Sequence, residues 1–453
     1  MNSSVTAQNT QKLKHPKGLY LCGLTIMWER FAYYGMKSVL ILYLAAEIAK
    51  GGFGLSKGSA TVLMGWFGGL VYLMPVLGGY VSDRYLGTKK SIILGCILIC
   101  GGQVLLFLGI SRVLIYCALG LITLGNGFFK PNLNTMVGDL YSKEDVRKDS
   151  AFSILYMFVN LGATVSPFIC GALAEQIFIK KSGTEIISYG FKYAFLASAI
   201  SMLIGLIFFI AGSKKYLGTL GEKPNYVAKS SDSKNATVPL TLQEKRRVIV
   251  ILILAFFVIF FWIGFEQGAT SLSLFTQESV NRNLFGKEIS TAAFQSINAI
   301  FCVAFAPVLG ALWVKLASSK NGDLSIPTKM GVGLILLGIG CFFVVLAVLQ
   351  KNSSGMASMI WIVSFYFFET IGELCLSPVG LSMVSKLAPA KLISMITGVW
   401  FISTFAASTL SGYVAKAATD LGELEVFAIL GVVVIILGLI LILIRKRLAA
   451  MME

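Results

Sequence analysis

TIMWERFAYYGMKSVLILY, from Thr25 to Tyr43, sets Glu29, Arg30 and Lys37 inside an apolar run long enough to cross a bilayer. An ionisable group at membrane depth costs at least ~2.5 kcal/mol on insertion scales, so it faces a bundle interior or a water-filled cavity and pairs with a partner. At ~100° per residue, Arg30, Tyr33, Tyr34 and Lys37 follow an i, i+3, i+4, i+7 stripe that gathers two cations and two phenols on one face. That face reads as a binding wall. A juxtamembrane helix whose charges snorkel to the interface fits less well, because apolar residues flank the charges on both sides.

The rest of the chain supports a membrane setting. Of 453 residues 56% are hydrophobic and 13% charged, and the mean hydropathy is +0.80. No ordinary soluble domain has that composition, because its surface must be wetted. The net charge of +16 comes from basic residues clustered in loops between apolar spans, where they orient the protein in the bilayer, and does not point to nucleic acid. All eight cysteines fall in apolar segments without metal-ligand spacing, so packing explains them better than disulfides or zinc. The only histidine, His15, lies in the polar N-terminal tail, which leaves the membrane interior without an imidazole relay. The first span carries charges and lacks a small-residue cleavage site, so it reads as an uncleaved helix and not as a signal peptide.

Apolar spans of ~20 or more residues fall into two sets of six. Residues 1–17 form a tail, 18–212 a first six-helix bundle, 213–244 a polar linker rich in Ser, Lys and Gly, 245–446 a second bundle, and 447–453 a closing tail. Two parallel repeats of six around a linker imply a substrate site near the midplane between them. Roughly 25 of the 38 Lys and Arg fall on the side of the N-tail, linker and C-tail, which places both termini in the cytoplasm. Pro75, Pro131, Pro167, Pro307 and Pro378 fall within spans, where helices bend or unwind.

Counting along each span at ~1.5 Å per residue matches the buried charges by depth. Lys130 and Glu373 each lie ~20 Å from the cytoplasmic anchors Lys143 and Lys386, and Lys37 and Glu266 each lie ~30 Å along their helices from Lys17 and Arg247. Each pair can meet across the two halves, one on the cytoplasmic side of the midplane and one on the external side. An alternating-access machine needs such an arrangement if breaking one pair accompanies making the other; two static clamps are the plainer reading. Tyr33, Tyr34, Tyr72, Tyr156, Asn160, Trp262, Asn298 and Trp400 stand out in otherwise apolar helices, although each alone is commonly packing or interfacial belt.

Five segments in order carry a resemblance: WERFAYYGMK (Trp28–Lys37), GNGFFKPN (Gly125–Asn132), YMFVNLGATVSP (Tyr156–Pro167), FFWIGFEQ (Phe260–Gln267) and GELCLSPVGLS (Gly372–Ser382). Together they resemble the proton-dependent oligopeptide transporter family. The loop GGYVSDRYLGTKK (Gly78–Lys90) is similar to a loop of the major facilitator superfamily, in which Asp83 would act in a conformational latch. The resemblance implies an all-α membrane protein of the major facilitator fold, two six-helix bundles with about 12 transmembrane helices, in a plasma membrane such as the bacterial inner membrane. It implies import of di- and tripeptides with protons. From the residues themselves, no span carries a nucleophile with a base at reach, a metal-ligand cluster or a glycine-rich phosphate loop, so no cofactor, metal or enzymatic chemistry is expected. Arg30 and Lys130 would lie near the peptide carboxylate, Glu373 near its amino group, and Asn160 and Asn298 along its backbone. Tyr33, Tyr34, Tyr72, Trp262 and Trp400 would line side-chain pockets, with Lys37, Tyr156, Glu266 and Ser377 completing the substrate set.

Three departures matter. The family opens its motif Glu-x-x-Glu-Arg, but the first position here is Ile26, which leaves Glu29 and Arg30 without a companion carboxylate. Lys37 stands where many relatives carry Arg, and the linker lacks the two extra helices of many bacterial relatives. The carboxylates left for proton coupling are Glu29, Glu266, Glu369 and Glu373, and Glu369 and Glu373 share a helical face at i, i+4. Glu369, with Glu266 freed from Lys37, is therefore the candidate replacement carrier; a Glu369 that faces another helix and is stably paired or neutral is the equal alternative. Competing readings are an importer of another small solute (an anion or a peptidomimetic), a proton-uncoupled facilitator, and a sensor built on a transporter fold.

Overall fold

A computed structural model describes residues 14–109, 111–142, 145, 147–183, 185–224, 241–319, 322–387 and 392–452, without the side chains of 378–387 and 393–395. Among the described residues, twelve helices of 21 to 29 residues make two sets of six. The first set is α1 (Lys17–Ala45), α2 (Lys57–Val81), α3 (Thr88–Leu108), α4 (Arg112–Asp139), α5 (Lys148–Ala172) and α6 (Phe191–Leu217). The second is α7 (Leu242–Phe265), followed by a short α8 (Ser271–Ser279), then α9 (Ser296–Ala317), α10 (Ile326–Ser354), α11 (Met359–Leu387), α12 (Ile393–Leu421) and α13 (Glu423–Leu443). Ten helical segments among the described residues are long and apolar enough to cross a membrane. Outside that ten are α1, which holds Glu29, Arg30 and Lys37, and α12, where Ser403 and Thr404 donate to carbonyls one turn back. Hydroxyls satisfied in this way can sit in an apolar setting without an outside partner.

The boundaries differ slightly from the sequence reading. α6 runs through Leu217, five residues into the expected linker, and α7 starts at Leu242 behind a capping box in which Thr241 and Glu244 satisfy each other's backbone N–H groups. Residues 225–240 of the linker and 1–13 of the N-tail lie outside the described residues, as do Lys143 and the side chains of Lys386 and Pro378. The C-tail begins in an eight-residue helix, α14 (Arg445–Met452). The expected seventh span is not continuous: after Phe265 the chain tightens into a 3-10 turn, Glu266–Ala269, and restarts as α8 at Ser271. A broken helix of this kind is tolerated at membrane depth only where it is buried in protein or lines a cavity.

Within the first half α1 lies against α5 and α6, and α3 against α4 and α6; within the second, α10 lies against α11 and α13. The halves meet where α2 packs on α12 and α5 on α9. Small residues permit the first contact. A Cβ added at Gly65 would lie 2.8 Å from Gly412 Cα and 2.9 Å from Ser408 O, so the two backbones touch there. The end of the molecule away from the termini is also closed by packing, since the apolar cluster around Met36, Leu40 and Phe195 takes in Leu274 and Ala292 from the second half.

That closeness is testable by adding one methyl group. G65A is expected to lower the melting temperature of the detergent-solubilised protein, by overpacking worth about 1–3 kcal/mol. G120A, where no atom lies within 4 Å of the new Cβ, is expected to leave it unchanged or raise it.

Candidate functional site

A cavity of about 210 Å³ lies between the halves. From the first half, Tyr33, Tyr34 and Lys37 of α1 line it together with Tyr72 of α2 and Tyr156 and Asn160 of α5. From the second half come Trp262 and Glu266 around the break after α7, Asn298 of α9, and Glu369 and Glu373 of α11. The i, i+3, i+4 spacing on α1 accounts for the first wall, and the i, i+4 spacing of Glu369 and Glu373 for the last.

The charges divide into made and unmade contacts. Lys37 Nζ donates to Glu266 Oε2 at 2.9 Å, joining α1 to the helix break across the two halves. Lys130 and Glu373 are not paired: Lys130 Nζ lies over the Tyr72 ring, 5.0 Å from its centroid. Glu373 Oε2 accepts from Asn298 Nδ2 at 3.0 Å and from the Cys302 thiol at 3.6 Å. Arg30 is held by its chain neighbour, donating from Nε and Nη2 to the two oxygens of Glu29 at 2.6 Å each, with a further bond to Asn126 Oδ1 at 3.2 Å. This two-point fork is the strongest geometry open to an arginine and a carboxylate. The guanidinium also lies 5.2 Å from the Tyr33 ring and 5.8 Å from the Tyr34 ring.

Arg30, Glu29, Lys130, Ser377 and Trp400 are thus not among the residues that line the cavity. Trp400 packs against the core of the second half, and the buried Ser377 hydroxyl has no hydrogen-bond partner among the described residues. The cavity also takes in residues that the sequence reading passed over, namely Gln295, Cys302 and Tyr366. The apolar setting of Cys302 in the sequence suggests packing alone, yet it lies four residues beyond Asn298, on the same helical face, a spacing present in the sequence. Tyr366 Oη donates to Gly268 O at 3.1 Å and so holds the broken helix against α11.

Among the described residues, four ion pairs join the halves, all toward the end remote from the termini. They are Lys37 with Glu266, Lys57 with Glu278 at 2.5 Å, Arg282 with Glu175 at 3.3 Å, and Lys181 with Glu288 at 3.9 Å. Lys57 and Glu278 are half exposed and add little stability, whereas Lys37 and Glu266 are nearly fully buried. The loop Gly78–Lys90 does different work: Ser82 Oγ donates to Asn132 of α4 at 2.5 Å, and Lys89 Nζ donates to Gly218 O and Glu222, tying the loop to the segment after α6.

Two six-helix halves around a central cavity with charged and aromatic walls define a multi-pass transporter of the major facilitator fold. A sequence profile of the POT family matches residues 89–238 and 233–430, and the chain belongs to that family. It is 34% identical to YclF, an uncharacterized transporter of Bacillus subtilis, over 98% of this chain and 96% of that one. It is 30% identical to the di-/tripeptide transporter of Lactococcus lactis, over 96% of each. A crystal structure of a peptide transporter POT in complex with sulfate superposes with a TM-score of 0.87 at 32% identity, covering 97% of this chain and 96% of that one.

Removing one partner of a buried pair strands the other charge, at a cost of about 3–5 kcal/mol. K37M and E266L are therefore each expected to lower the melting temperature, and the double variant K37M/E266L to recover most of the loss. A double variant as unstable as the sum of the singles would mean that the two side chains do not act as a pair.

Proposed function

We propose that this protein imports di- and tripeptides by proton symport, alternating the access of the central cavity between the two sides of a plasma membrane, with both termini cytoplasmic. The observation that carries the reading is the cavity itself, which offers separated charges and aromatic walls between two halves of a chain whose Lactococcus lactis relative is named a di-/tripeptide transporter. A zwitterionic peptide needs an anion at its amino end, a cation at its carboxyl end and walls tolerant of many side chains. Glu373, held by Asn298 and Cys302, supplies the anion. Lys130, which lies over the ring of the cavity-lining Tyr72 just outside the cavity, supplies the cation by reaching past that ring, because Arg30 is already neutralised by Glu29. Asn160 and Asn298 receive the peptide backbone, and Tyr33, Tyr34, Tyr72, Tyr156 and Trp262 form the tolerant walls.

Transport then couples the two cross-half pairs. With Lys37 bound to Glu266 the remote end is shut and Lys130 and Glu373 are apart; with that pair broken, Lys130 and Glu373 approach each other and close the end near the termini. A peptide bridging Lys130 and Glu373 draws the halves together without the direct pair.

Purified protein in liposomes is expected to take up a labelled dipeptide faster with an inward proton gradient than without one, and unlabelled di- and tripeptides to compete. K130A and E373A are each expected to abolish that uptake while the protein still inserts, because each removes one end of the zwitterion site. Near-normal uptake by both variants would overturn the site assignment, and failure of dipeptides to compete would overturn the substrate class.

A further inference from the structure

Among the described residues, four carboxylates lie at membrane depth near the cavity, Glu29, Glu266, Glu369 and Glu373, and three of them are satisfied by protein groups. Glu29 is fully buried and bound at two points by Arg30. Glu266 is bound by Lys37, and Glu373 accepts from Asn298 and Cys302. Glu369 differs: it is 1% exposed, and its Oε2 is buried with no hydrogen-bond partner among the described residues. It borders the cavity and lies against the helix break, where a Cβ on Gly268 would come 3.4 Å from its Oε1. The charged and titratable groups that face it are Lys37 from α1, Glu266 from the break, Cys302 from α9, Cys341 from α10, and Tyr366 and Glu373 from its own helix. That set holds one cation for three carboxyl groups, and Glu266 already occupies the cation. An ionised Glu369 would therefore add an unpaired charge beside two like charges.

We propose, resting on the transport reading above, that Glu369 is the proton-carrying group of this chain and that its protonation is what lets the remote end close. Ile26 is buried in an apolar cluster of the first half, so among the described residues no second carboxyl stands beside Glu29 and Arg30 to carry the proton there. While the remote end is open, water hydrates Glu369 and delivers a proton to Oε2. Closing then brings the neutral carboxyl against Gly268 and Tyr366 while Lys37 joins Glu266. The proton leaves through the cavity to water on the side of the termini. The carboxylate that remains crowds Glu266 and Glu373 and drives the remote end open again. The step is a proton transfer between Glu369 and water, with no other bond made or broken.

The test measures protons and peptide together. Liposomes carry an interior pH indicator, and the flux of labelled dialanine is recorded in the same vesicles, so the readout is protons moved per peptide and not rate. The parent is expected to give a fixed ratio above zero, E369Q a ratio at the background level, and E369D the parent's ratio. Infrared difference spectra supply a second reading that does not depend on turnover: a protonated-carboxyl band present in the parent without peptide is expected to vanish in E369Q and to shift in E369D. E369Q with the parent's ratio, or with the band intact, overturns the proposal. A parent that moves dialanine without protons also overturns it but leaves peptide transport standing, whereas a parent that moves no dialanine overturns the transport reading and this one with it.

Discussion

A lysine and a glutamate are buried together between the two halves of this molecule. Lys37 leaves α1 in the middle of an apolar run, and Glu266 sits where the seventh helix gives way, so their contact joins the two six-helix bundles at the core. At an effective dielectric of ~20, two unit charges about 4 Å apart attract by ~4 kcal/mol. Removing each ion from water costs several kcal/mol, so the formed pair sits near balance. Such a bond suits a joint that is broken and remade: it holds the halves while both partners are dry and weakens once water enters. The more exposed Lys57 and Glu278 pair, and the contact between Arg282 and Glu175, lie farther out on the same closed end.

Most of the fold was legible in the sequence. Two sets of six apolar runs around a polar linker correspond to twelve long helices, because an uninterrupted apolar run in a bilayer has little alternative to helix. Depth counting brought Lys37 and Glu266 to the same level, since both are measured along rigid helices from charged anchors. The same counting put Lys130 level with Glu373 without revealing that they are apart in this conformation. Depth is a property of a helix, whereas contact depends on how the two halves are tilted.

The remaining differences are local. The helical stripe put Arg30 with Tyr33, Tyr34 and Lys37 on one wall, but Glu29, one residue away, captures the guanidinium, and periodicity says nothing about a side chain folding back onto its neighbour. The break after Phe265 was hidden because the polar residues of FFWIGFEQGATSLSLF are interleaved with apolar ones, and its cues, Gly264 and Gly268, are of a residue type common in continuous membrane helices. That break has consequences for the site. It brings Glu266 to Lys37, exposes the Gly268 carbonyl to Tyr366, and leaves a glycine face against which the Glu369 carboxyl packs. Glu29 with Arg30, and Glu266 with Lys37, are each locally neutral, which leaves Lys130 on α4 and Glu369 and Glu373 on α11 without an ion-pair partner among the described residues.

The role of the Lys37 and Glu266 contact as the clamp on the remote end is most directly tested by a distance between halves. Spin labels at Ile48 and Phe285, both exposed at that end and one in each half, would be placed in the parent, in K37A and in the charge-reversed K37E/E266K. A clamp at this position requires a short, narrow distance distribution in the parent, a longer and broader one in K37A, and a return toward the parent in the charge-reversed pair. Identical distributions in the parent and K37A would contradict it.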